Sequence, residues 1–200
     1  MAFILESGRK YDFILGGIAE MELCLQQVCG RSAQLSVTLR PCTPQEAETV
    51  FRLQNEVSAA MPDPELFVPD TLENIRSYLE HDLCLGAWDG PRLGAYFILR
   101  YCGQTMHNYA AFLDVPEAEW EHWANADSVI VHPDWRGNGL QRKLLEAVLP
   151  LLRPGITALG ATVSPHNPYS LNNALACGFQ VVTRREMYGG HDRYLLAKYL

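Results

Sequence analysis

The sequence of 200 residues predicts a single α/β (α+β) domain, residues 35–200, preceded by an extension, residues 1–34. Its hydrophobic content of 48% is sufficient for one substantial core and shows no bias typical of disordered or fibrous chains. Along the chain, segments with the alternating pattern of strands are interspersed with segments of helical period. One strand-like segment also runs through a glycine-containing turn into a helix, which is typical of α/β folds.

The overall charge limits the classes of partner. The chain carries 16 Lys and Arg against 23 Asp and Glu, which gives a net charge of -7. Such a chain has no general electrostatic attraction to a phosphate backbone or an anionic membrane surface, so we expect neither nucleic acid nor membrane as a partner. The same sign weakly favours cationic acceptors such as amines.

The cysteines and the N-terminal apolar run indicate a cytoplasmic protein. The six cysteines are scattered and form neither a C-x-x-C pair nor a zinc-ligand set with the six histidines, so we expect reduced thiols and no metal. The apolar run Phe13–Ala19 is too short to span a bilayer and lacks a cleavage pattern.

The extension has a hydrophobic period of about 3.6 residues, which predicts an amphipathic helix ending before Gly30. We expect it to pack on the domain or on a second copy of the chain in a homodimer. The residues that define the period are Ile14, Leu15, Ile18, Met21, Leu25 and Val28.

The domain begins with a strand and two helices. Leu35–Arg40 alternates apolar and polar residues, as a half-buried first strand does. Thr43 with Glu46 forms a capping box for a helix that ends near Ala59. A second N-cap at Thr71 starts the next helix.

A hairpin and a long loop follow. Residues 83–88 and 93–101 are strand-like, and Asp89–Arg92 between them has turn chemistry. The segment Gly103–Trp123 shows no clear period and is interpreted as a loop. Long loops inside compact domains are often functional.

A candidate anion site lies in the middle of the chain. The strand Ser128–Val131 is closed by Pro133, and Arg136–Gly139 then leads into a helix that begins at Leu140. The first turn of a helix leaves N–H groups unpaired at the positive end of the macrodipole, so it binds anions readily. Glycines permit close approach of a pyrophosphate, and Arg136 adds a charge-assisted contact.

Two other nucleotide-binding motifs fail on particular residues. A Walker A loop requires Lys after its last glycine, whereas Gly139 is followed by Leu140. A Rossmann fingerprint requires a third glycine or alanine where Arg142 stands, and an acidic residue near Leu159. A tight loop without a ligand remains the simplest alternative for this turn taken alone.

The stretch Val131–Leu140 resembles the CoA-binding segment of GNAT (N-acetyltransferase) enzymes. The family pattern is Arg or Gln, two residues, Gly, one residue, then Gly or Ala. Arg136 and Gly139 fit the pattern, whereas the final position is Gln141. The sequence is thereby identified as a member of this superfamily.

A second resemblance to the family lies downstream. Ala158–Val163 reads as a strand, and a helix then opens near Asn167. In the family an Asn at this position recurs with a small residue, here Ser170, and with a Gly-Phe pair, here Gly178-Phe179. The final segments, residues 180–188 and 193–198, suit the family's closing hairpin.

The resemblance implies a mixed central sheet, flanked by helices, that splays between its fourth and fifth strands. It also implies acetyl-CoA as cosubstrate, without a metal, the pantetheine arm running along the fourth strand and the pyrophosphate binding at the turn. The residues expected to bind it are Val129, Ile130, Val131, Arg136, Gly137, Asn138, Gly139, Leu140, Gln141, Arg142 and Asn167.

The implied chemistry is direct attack of an amine on the thioester in a ternary complex. Many relatives have a Glu base where Asn125 stands, so Asp127, two residues on and on the same face of a regular strand, is the candidate base. Their Tyr acid is replaced by Ala174. Tyr169 is the candidate substitute, and Cys177 is the other option, although a packing role fits Cys177 better.

The acceptor amine is open, and either a small molecule or a protein amine would fit. Side chains of the loop before the fourth strand are candidates for the acceptor pocket, whereas His132 reads as a turn residue outside it. Because the usual base and acid are missing, the alternative function is an inactive GNAT-fold module that binds acyl-CoA or acts by interaction. The loop candidates are Glu119, Trp120, Glu121, His122 and Trp123.

Overall fold

The computed structural model describes residues 20–200 as an eight-stranded sheet flanked by helices. The strand order is β1-β2-β3-β4-β5-β6-β8-β7, and only the β5–β6 pair is parallel. The strands are β1 (Met21–Val28), β2 (Arg31–Pro41), β3 (Leu83–Asp89), β4 (Arg92–Arg100), β5 (Trp123–Val131), β6 (Ala158–Val163), β7 (Gln180–Met187) and β8 (His191–Tyr199). The helices are α1 (Ala47–Ala59), α2 (Leu72–His81), α3 (Leu140–Val148) and α4 (Pro168–Ala176).

The N-terminal caps predicted for the first two helices are confirmed. Glu46 Oε2 accepts a hydrogen bond from the Thr43 N–H at 2.8 Å, immediately before α1. Thr71 Oγ1 accepts from the Asn74 N–H at 3.1 Å and caps α2. Each cap satisfies an N–H group that the first helical turn leaves unpaired.

The helix predicted for the extension is wrong over Met21–Val28, which form a strand. β1 and β2 make an antiparallel hairpin whose turn, Cys29-Gly30, has positive φ at both residues, 51° and 71°. Two positive φ angles match the right-handed twist of a hairpin. The boundary predicted at residue 34 lies inside β2. The part of the predicted helix that precedes residue 20 lies outside the described residues.

The misreading has a physical cause. Met21 and Leu25 are four residues apart, a spacing that fits one helix face, but they also alternate with polar neighbours as a strand requires. In the structure both are buried, while Glu22 between them is exposed and accepts hydrogen bonds from Ser36 and Thr38 on β2. The apolar spacing alone therefore fits either a helix or a strand, and pairing with β2 determines that this segment forms a strand.

Each face of the sheet is covered by one pair of helices. Along β4, Phe97 and Leu99 pack with α3, while Tyr96 and Ile98 pack with α1 and α2. This alternation is the period of a strand buried on both faces. The sheet is therefore the central layer of a three-layer structure.

The predicted splay is confirmed between β5 and β6. These are the fourth and fifth strands of the predicted sheet, because β1 precedes the strand that was predicted as the first. These strands pair only from Trp123 to Ala126, against Ala158 to Ala161. Beyond this point β5 continues along β4 to Val131, and β6 continues along β8 to Val163. The sheet thus opens into two arms that leave one edge of β5 unpaired.

Two further properties concern the described residues as a whole. All six cysteines are free, as the sequence predicts. Within residues 20–200, none of the helices combines the length and the apolar character needed to cross a membrane.

Asn138 fastens β1 to the turn that precedes α3. Its Oδ1 accepts from the N–H groups of Gln26 and Gln27 at 2.8 and 3.1 Å, and its Nδ2 donates to the Gln27 carbonyl at 2.7 Å and the Trp135 carbonyl at 3.0 Å. The residue is only 8% exposed. Its amide thus satisfies backbone groups at an irregularity in the β1–β2 pairing.

We expect Asn138→Ala to lower the free energy of unfolding by about 2 kcal/mol, because backbone groups of β1 lose their partners. Urea unfolding measures the change. The matched control is Asn55→Ala on the exposed side of α1, which should change stability by less than about 0.5 kcal/mol. Equal effects of the two substitutions would contradict the role given to Asn138.

Candidate functional site

A cavity of about 730 Å³ occupies the opening between β5 and β6. Asp127 and Thr162, from the two diverging strands, lie on its lining. One wall comes from α3 and α4, which contribute Gln141 and Asn167, and the other from the α1–α2 connection and the long loop after β4, including Tyr109. The cavity therefore joins the predicted cofactor region to the region predicted for the acceptor.

The unpaired edge of β5 offers main-chain groups to this cavity. Val129 lines the cavity, whereas Ile130 is 2% exposed and packs with α1 and α2. Val131 is partly buried against the core on the other face. Since β4 pairs with only one edge of β5, backbone N–H and C=O groups on the other edge can pair with an extended ligand.

The turn before α3 is an anion-binding arrangement. Gly139, the N-cap of α3, has φ of 64°, a left-handed conformation that a side chain would strain. The helix macrodipole places positive charge on the unpaired N–H groups that follow. Arg136 and Arg142 are exposed on either side of this turn, and a Cβ added at Gly139 would lie 3.7 Å from the Arg142 guanidinium.

Three of the residues predicted to bind the cofactor have side chains directed elsewhere. The Asn138 amide is fully used in fastening β1, and Leu140 is 2% exposed in the core, so both can offer only main-chain groups. Gln141 bridges α3 and α4: its Oε1 accepts from Asn173 at 2.9 Å and its Nε2 donates to Ser170 at 3.2 Å. The residue that departs from the family pattern thus holds the two helices beside the opening together.

Asn167 caps the helix across the opening. Its Oδ1 accepts from the Ser170 N–H at 3.0 Å, at the start of α4. The residue also lines the cavity. The structure therefore brings Asn167 to the opening, where its side chain organises the first turn of α4.

Asp127 sits in a β-bulge where the strands diverge. The register of β4 and β5 passes from Ile98↔Ser128 to Leu99↔Ala126, which leaves Asp127 without a partner on β4. Bulges redirect side chains and increase local twist. The Asp127 carboxylate accordingly points into the cavity, where its Oδ1 accepts from Tyr109 Oη at 3.1 Å and from Arg100 Nη1 at 3.4 Å.

The carboxyl group of Asp127 has a perturbed acidity. Burial raises its pKa to about 6, and this effect outweighs the nearby positive charge of Arg100, which lowers it. The side chain is 11% exposed. A carboxyl group of this kind exchanges a proton close to neutral pH, which is a common property of catalytic acids and bases.

A chain of hydroxyl groups continues from Asp127. Tyr109 Oη lies 2.7 Å from Tyr188 Oη, which lies 2.8 Å from Thr162 Oγ1. Tyr188 has φ of 54°, which is strained for a bulky residue, in the turn between β7 and β8. This conformation places its hydroxyl group in the cavity beside that of Tyr109.

The close packing of Tyr109 against β6 explains why residue 160 is a glycine. A Cβ added at Gly160 would lie 2.7 Å from the Tyr109 Cβ, so only glycine lets Tyr109 approach β6 this closely. Asn125, paired with Gly160, accepts from the Tyr109 N–H at 2.9 Å and donates to the His107 carbonyl at 2.8 Å. Asn125 is fully buried and thus anchors the long loop rather than acting as a base.

Comparison with known proteins decides the family. A model of the acetyltransferase (GNAT) family matches residues 51–179, which is more than half of the chain. The chain belongs to the GNAT acetyltransferase family. No protein of curated function matches it by sequence.

Solved GNAT structures share the fold. An acetyltransferase of the GNAT family from Streptococcus pneumoniae aligns with a TM-score of 0.62 and 18% identity, covering 82% of this chain and 99% of that chain. The ribosomal-protein-alanine N-acetyltransferase from Brucella melitensis gives 0.61 and 18%, covering 81% and 99%. The yncA protein from Salmonella typhimurium, solved with its cofactor acetyl-CoA, gives 0.61 and 16%, covering 82% and 94%.

The acid candidate chosen from the sequence does not reach the site of this GNAT domain. Tyr169 is 83% exposed on the first turn of α4 and is not part of the cavity lining. Ala174 and Cys177, further along the helix, do line the cavity. Burial raises the pKa of Cys177, which agrees with a packing role and disfavours a thiolate.

The loop residues predicted for the acceptor pocket do not line the cavity. Trp123 is 4% exposed in a core cluster, and His122 Nδ1 lies 3.0 Å from the Gly155 carbonyl. Neither these two nor Glu119, Trp120 and Glu121 line the cavity, whereas His107, Tyr109 and Phe112 earlier in the loop do. His132 lies outside the cavity, as expected, with its Nε2 3.0 Å from Glu56 Oε1.

Several residues of the acceptor wall carry no local signal in the sequence. Arg100 lies over the Tyr78 ring at 4.3 Å, and Tyr78 Oη donates to Asp70 Oδ1 at 2.9 Å. Burial raises the pKa of Asp70. These residues lie in the α1–α2 connection, in α2 and at the end of β4, so no local pattern in the sequence relates them.

Across residues 20–200, no group of three or more His, Cys, Asp or Glu side chains is arranged to hold a metal ion.

The raised pKa of Asp127 predicts a specific dependence of stability on pH. Because the folded pKa of about 6 exceeds the usual aspartate pKa of 3.8, the folded state binds the proton more tightly, and its stability falls as pH rises between these values. Asp127→Asn removes this titration. Relative to the wild type, the variant should gain about 3 kcal/mol of unfolding free energy between pH 3.5 and pH 7, the free energy that corresponds to this difference in pKa.

Urea unfolding of both proteins at pH 3.5 and pH 7 measures this difference. Because the comparison uses the change in each protein between the two pH values, any effect of the substitution that does not depend on pH cancels. A variant that becomes less stable relative to the wild type at pH 7 would contradict the raised pKa.

Proposed function

We propose that this GNAT domain transfers an acetyl group from acetyl-CoA to an amine by direct attack within a ternary complex. The observation that carries the proposal is the position of Asp127: a carboxyl group with a pKa of about 6 at the point where the unpaired edge of β5 begins. Acetyl-CoA is the cosubstrate of the yncA neighbour. The opening in this chain has the groups that such a molecule requires.

The cofactor side supplies three kinds of contact. The free edge of β5 at Val129–Val131 can pair with the amides of a pantetheine arm. The N-terminal turn of α3, from Gly137 to Arg142, can bind a pyrophosphate through its N–H groups and the flanking Arg136. Asn167 and Gln141 shape the opposite wall.

Asp127 is the proposed base. An amine is mostly protonated at neutral pH and is then not a nucleophile, so a proton must pass to a base before attack. The ionised Asp127 carboxylate accepts this proton, and Tyr109, whose own pKa burial raises, stays a phenol and donates a hydrogen bond to the carboxylate. Arg100 keeps the carboxylate ionised more often than burial alone would allow.

The transfer itself forms one bond and breaks another. The neutral amine attacks the thioester carbon, the N–C bond forms, the C–S bond breaks and the sulfur leaves as a thiolate. The nitrogen, now positively charged, loses its second proton to give the amide, and this proton converts the thiolate into a thiol. Main-chain N–H groups at the open edge of β5 can stabilise the negative charge on the carbonyl oxygen. The hydroxyl chain of Tyr109 and Tyr188 links Asp127 to Thr162 across the opening and provides a route by which a proton reaches the leaving sulfur.

The alternative is a GNAT-fold module that binds acyl-CoA without turnover. The replacement of the usual Tyr position by Ala174 favours it. Asp127 favours the enzyme. Burying a carboxyl group costs free energy of folding, and buried carboxyl groups with a raised pKa in a cavity are common at catalytic sites. A protein amine is one class of acceptor, as in the Brucella melitensis ribosomal-protein-alanine N-acetyltransferase, and a small amine is the other.

Incubation with acetyl-CoA and a panel of amines and peptides tests the proposal, with free thiol release and product mass as the readouts. We expect Asp127→Asn to lower kcat/KM by roughly 10²- to 10⁴-fold, the usual contribution of a general base. Asp89→Asn, at the end of β3 beside the turn to β4, is the matched control and should leave kcat/KM unchanged. Acetyl-CoA binding without turnover on any acceptor would instead establish the module.

The activity should also depend on pH in a defined direction. Because the base must be ionised, kcat/KM of the wild type should rise as pH increases through about 6, the pKa of Asp127 in the free protein. The residual activity of Asp127→Asn should lack this step. A wild-type profile that is flat between pH 5 and pH 7 would exclude Asp127 as the base.

A further inference from the structure

Arg193 is a buried cation on the wall of the cavity. The residue is 4% exposed and lines the cavity near the acceptor side. Its Nη1 donates to the main-chain oxygen of Asp192 at 2.7 Å, while its Nη2 is buried and has no hydrogen-bond partner within residues 20–200. A guanidinium group has five N–H donors, so most of this one's capacity is unused.

The guanidinium group also lacks an ion pair with any described carboxylate. The Asp192 carboxylate, the nearest in sequence, is bound by Arg184 from β7. Among residues 20–200 the arginines that form ion pairs are Arg40, Arg76, Arg92, Arg100 and Arg184. Burying a charge without a partner is costly, so such a charge in a cavity points to a partner supplied by a ligand.

A second arginine stands beside it. Arg185 on β7 is directly opposite Arg193 on β8 in the strand register. Like charges in this position repel, which makes the pair unfavourable unless an anion lies between or above them. Arg185 lies over the ring of Phe112 at 5.6 Å, and Phe112 also lines the cavity.

The position of Arg193 relative to the proposed base defines a substrate. The Arg193 guanidinium lies 5.9 Å from the centre of the Tyr188 ring, and the hydroxyl group of that ring is linked through Tyr109 to Asp127 by contacts of 2.7 and 3.1 Å. Arg193 and Asp127 thus lie at the two ends of one series of contacts, through the Tyr188 ring and the Tyr109 hydroxyl group, within one cavity. A molecule with an amine at one end and an anion at the other would contact both.

We propose that the acceptor amine also carries an anionic oxygen group, a carboxylate or a phosphate, that Arg193 binds. The planar fork of the guanidinium group matches either anion with two parallel hydrogen bonds. This inference rests on the proposed acetyl transfer for the amine end, but the anion site can be measured separately. It excludes simple alkyl amines as the preferred acceptors.

Three small amines with one skeleton test the inference: ethylamine, β-alanine and phosphoethanolamine, which carry no anion, a carboxylate and a phosphate. Phenethylamine and phenylalanine form a larger pair of the same design. Binding to the full chain is followed by NMR titration without acetyl-CoA, and acetylation by product mass with acetyl-CoA. We expect at least one anionic amine to bind roughly 10-fold or more tightly than its uncharged-end partner, the usual range for a charge-assisted hydrogen bond.

Arg193→Gln should abolish this preference by raising KM for the anionic amine roughly 10- to 100-fold, with a smaller effect on kcat. Arg193→Lys keeps the charge but loses the fork and should retain part of the preference. Arg31→Gln, an exposed arginine at the β1–β2 turn, is the matched control and should retain all of it. Urea unfolding checks folding: Arg193→Gln should be close to the wild type in stability, since loss of the contacts with the Asp192 carbonyl and the Tyr188 ring is offset by removal of a buried cation that has no ion pair within residues 20–200.

The outcomes separate the two proposals. Acetylation of the paired amines with equal KM would overturn the anion site and leave the acetyltransferase proposal intact. Binding of anionic amines that depends on Arg193, without acetylation of any amine, would support the anion site and count against the proposed reaction. A preference for anionic amines that survives Arg193→Gln would overturn the role of Arg193.

Discussion

The separation of β5 from β6 is the constraint on which the rest of the structure depends. The two strands are held together only as far as Ala126 and Ala161, and each then follows a different neighbour, β4 on one side and β8 on the other. Because backbone groups in a sheet must find partners, the free edge of β5 is stable where solvent or a ligand reaches it. The same separation creates the cavity and sets the residues that line it.

Asp127 marks the point of divergence and links fold to chemistry. The bulge removes it from the β4 ladder and turns its carboxylate into the cavity. Burial then raises its pKa, while Arg100 and Tyr109 keep it within the range where it can exchange a proton near neutral pH. A bulge of one residue therefore supplies both the position and the acidity that a base would need.

The sequence predicted those parts of the site that depend on residues adjacent in the chain, and it did not predict the parts that depend on distant segments. The turn at Gly139 was identified because glycine conformation depends on a few adjacent residues, and Asn167 was identified because it belongs to a short motif that resembles the family. Arg193 and Tyr188 carried no such signal, since their roles depend on strands and loops that meet only in the folded chain. Tyr169 was chosen for its place in the sequence, but its exposed position on α4 depends on the direction of its side chain.

The strand at Met21–Val28 illustrates a different limit. Its apolar spacing fits both a helix and a strand, and only pairing with β2 and the amide of Asn138 distinguishes them. Asn138 was predicted to contact the cofactor, yet its side chain fastens this added strand to the turn before α3. One residue of the family motif thus supports the fold, while its neighbours Gly137 and Gly139 leave the backbone accessible.

A crystal structure of the protein with acetyl-CoA tests the central claim most directly. We expect the pantetheine arm to form main-chain hydrogen bonds with the free edge of β5, the pyrophosphate to lie at the N-terminus of α3, and the thioester to lie beside Asp127. A complex in which β5 and β6 close along their whole length, or in which acetyl-CoA binds away from this opening, would contradict the account.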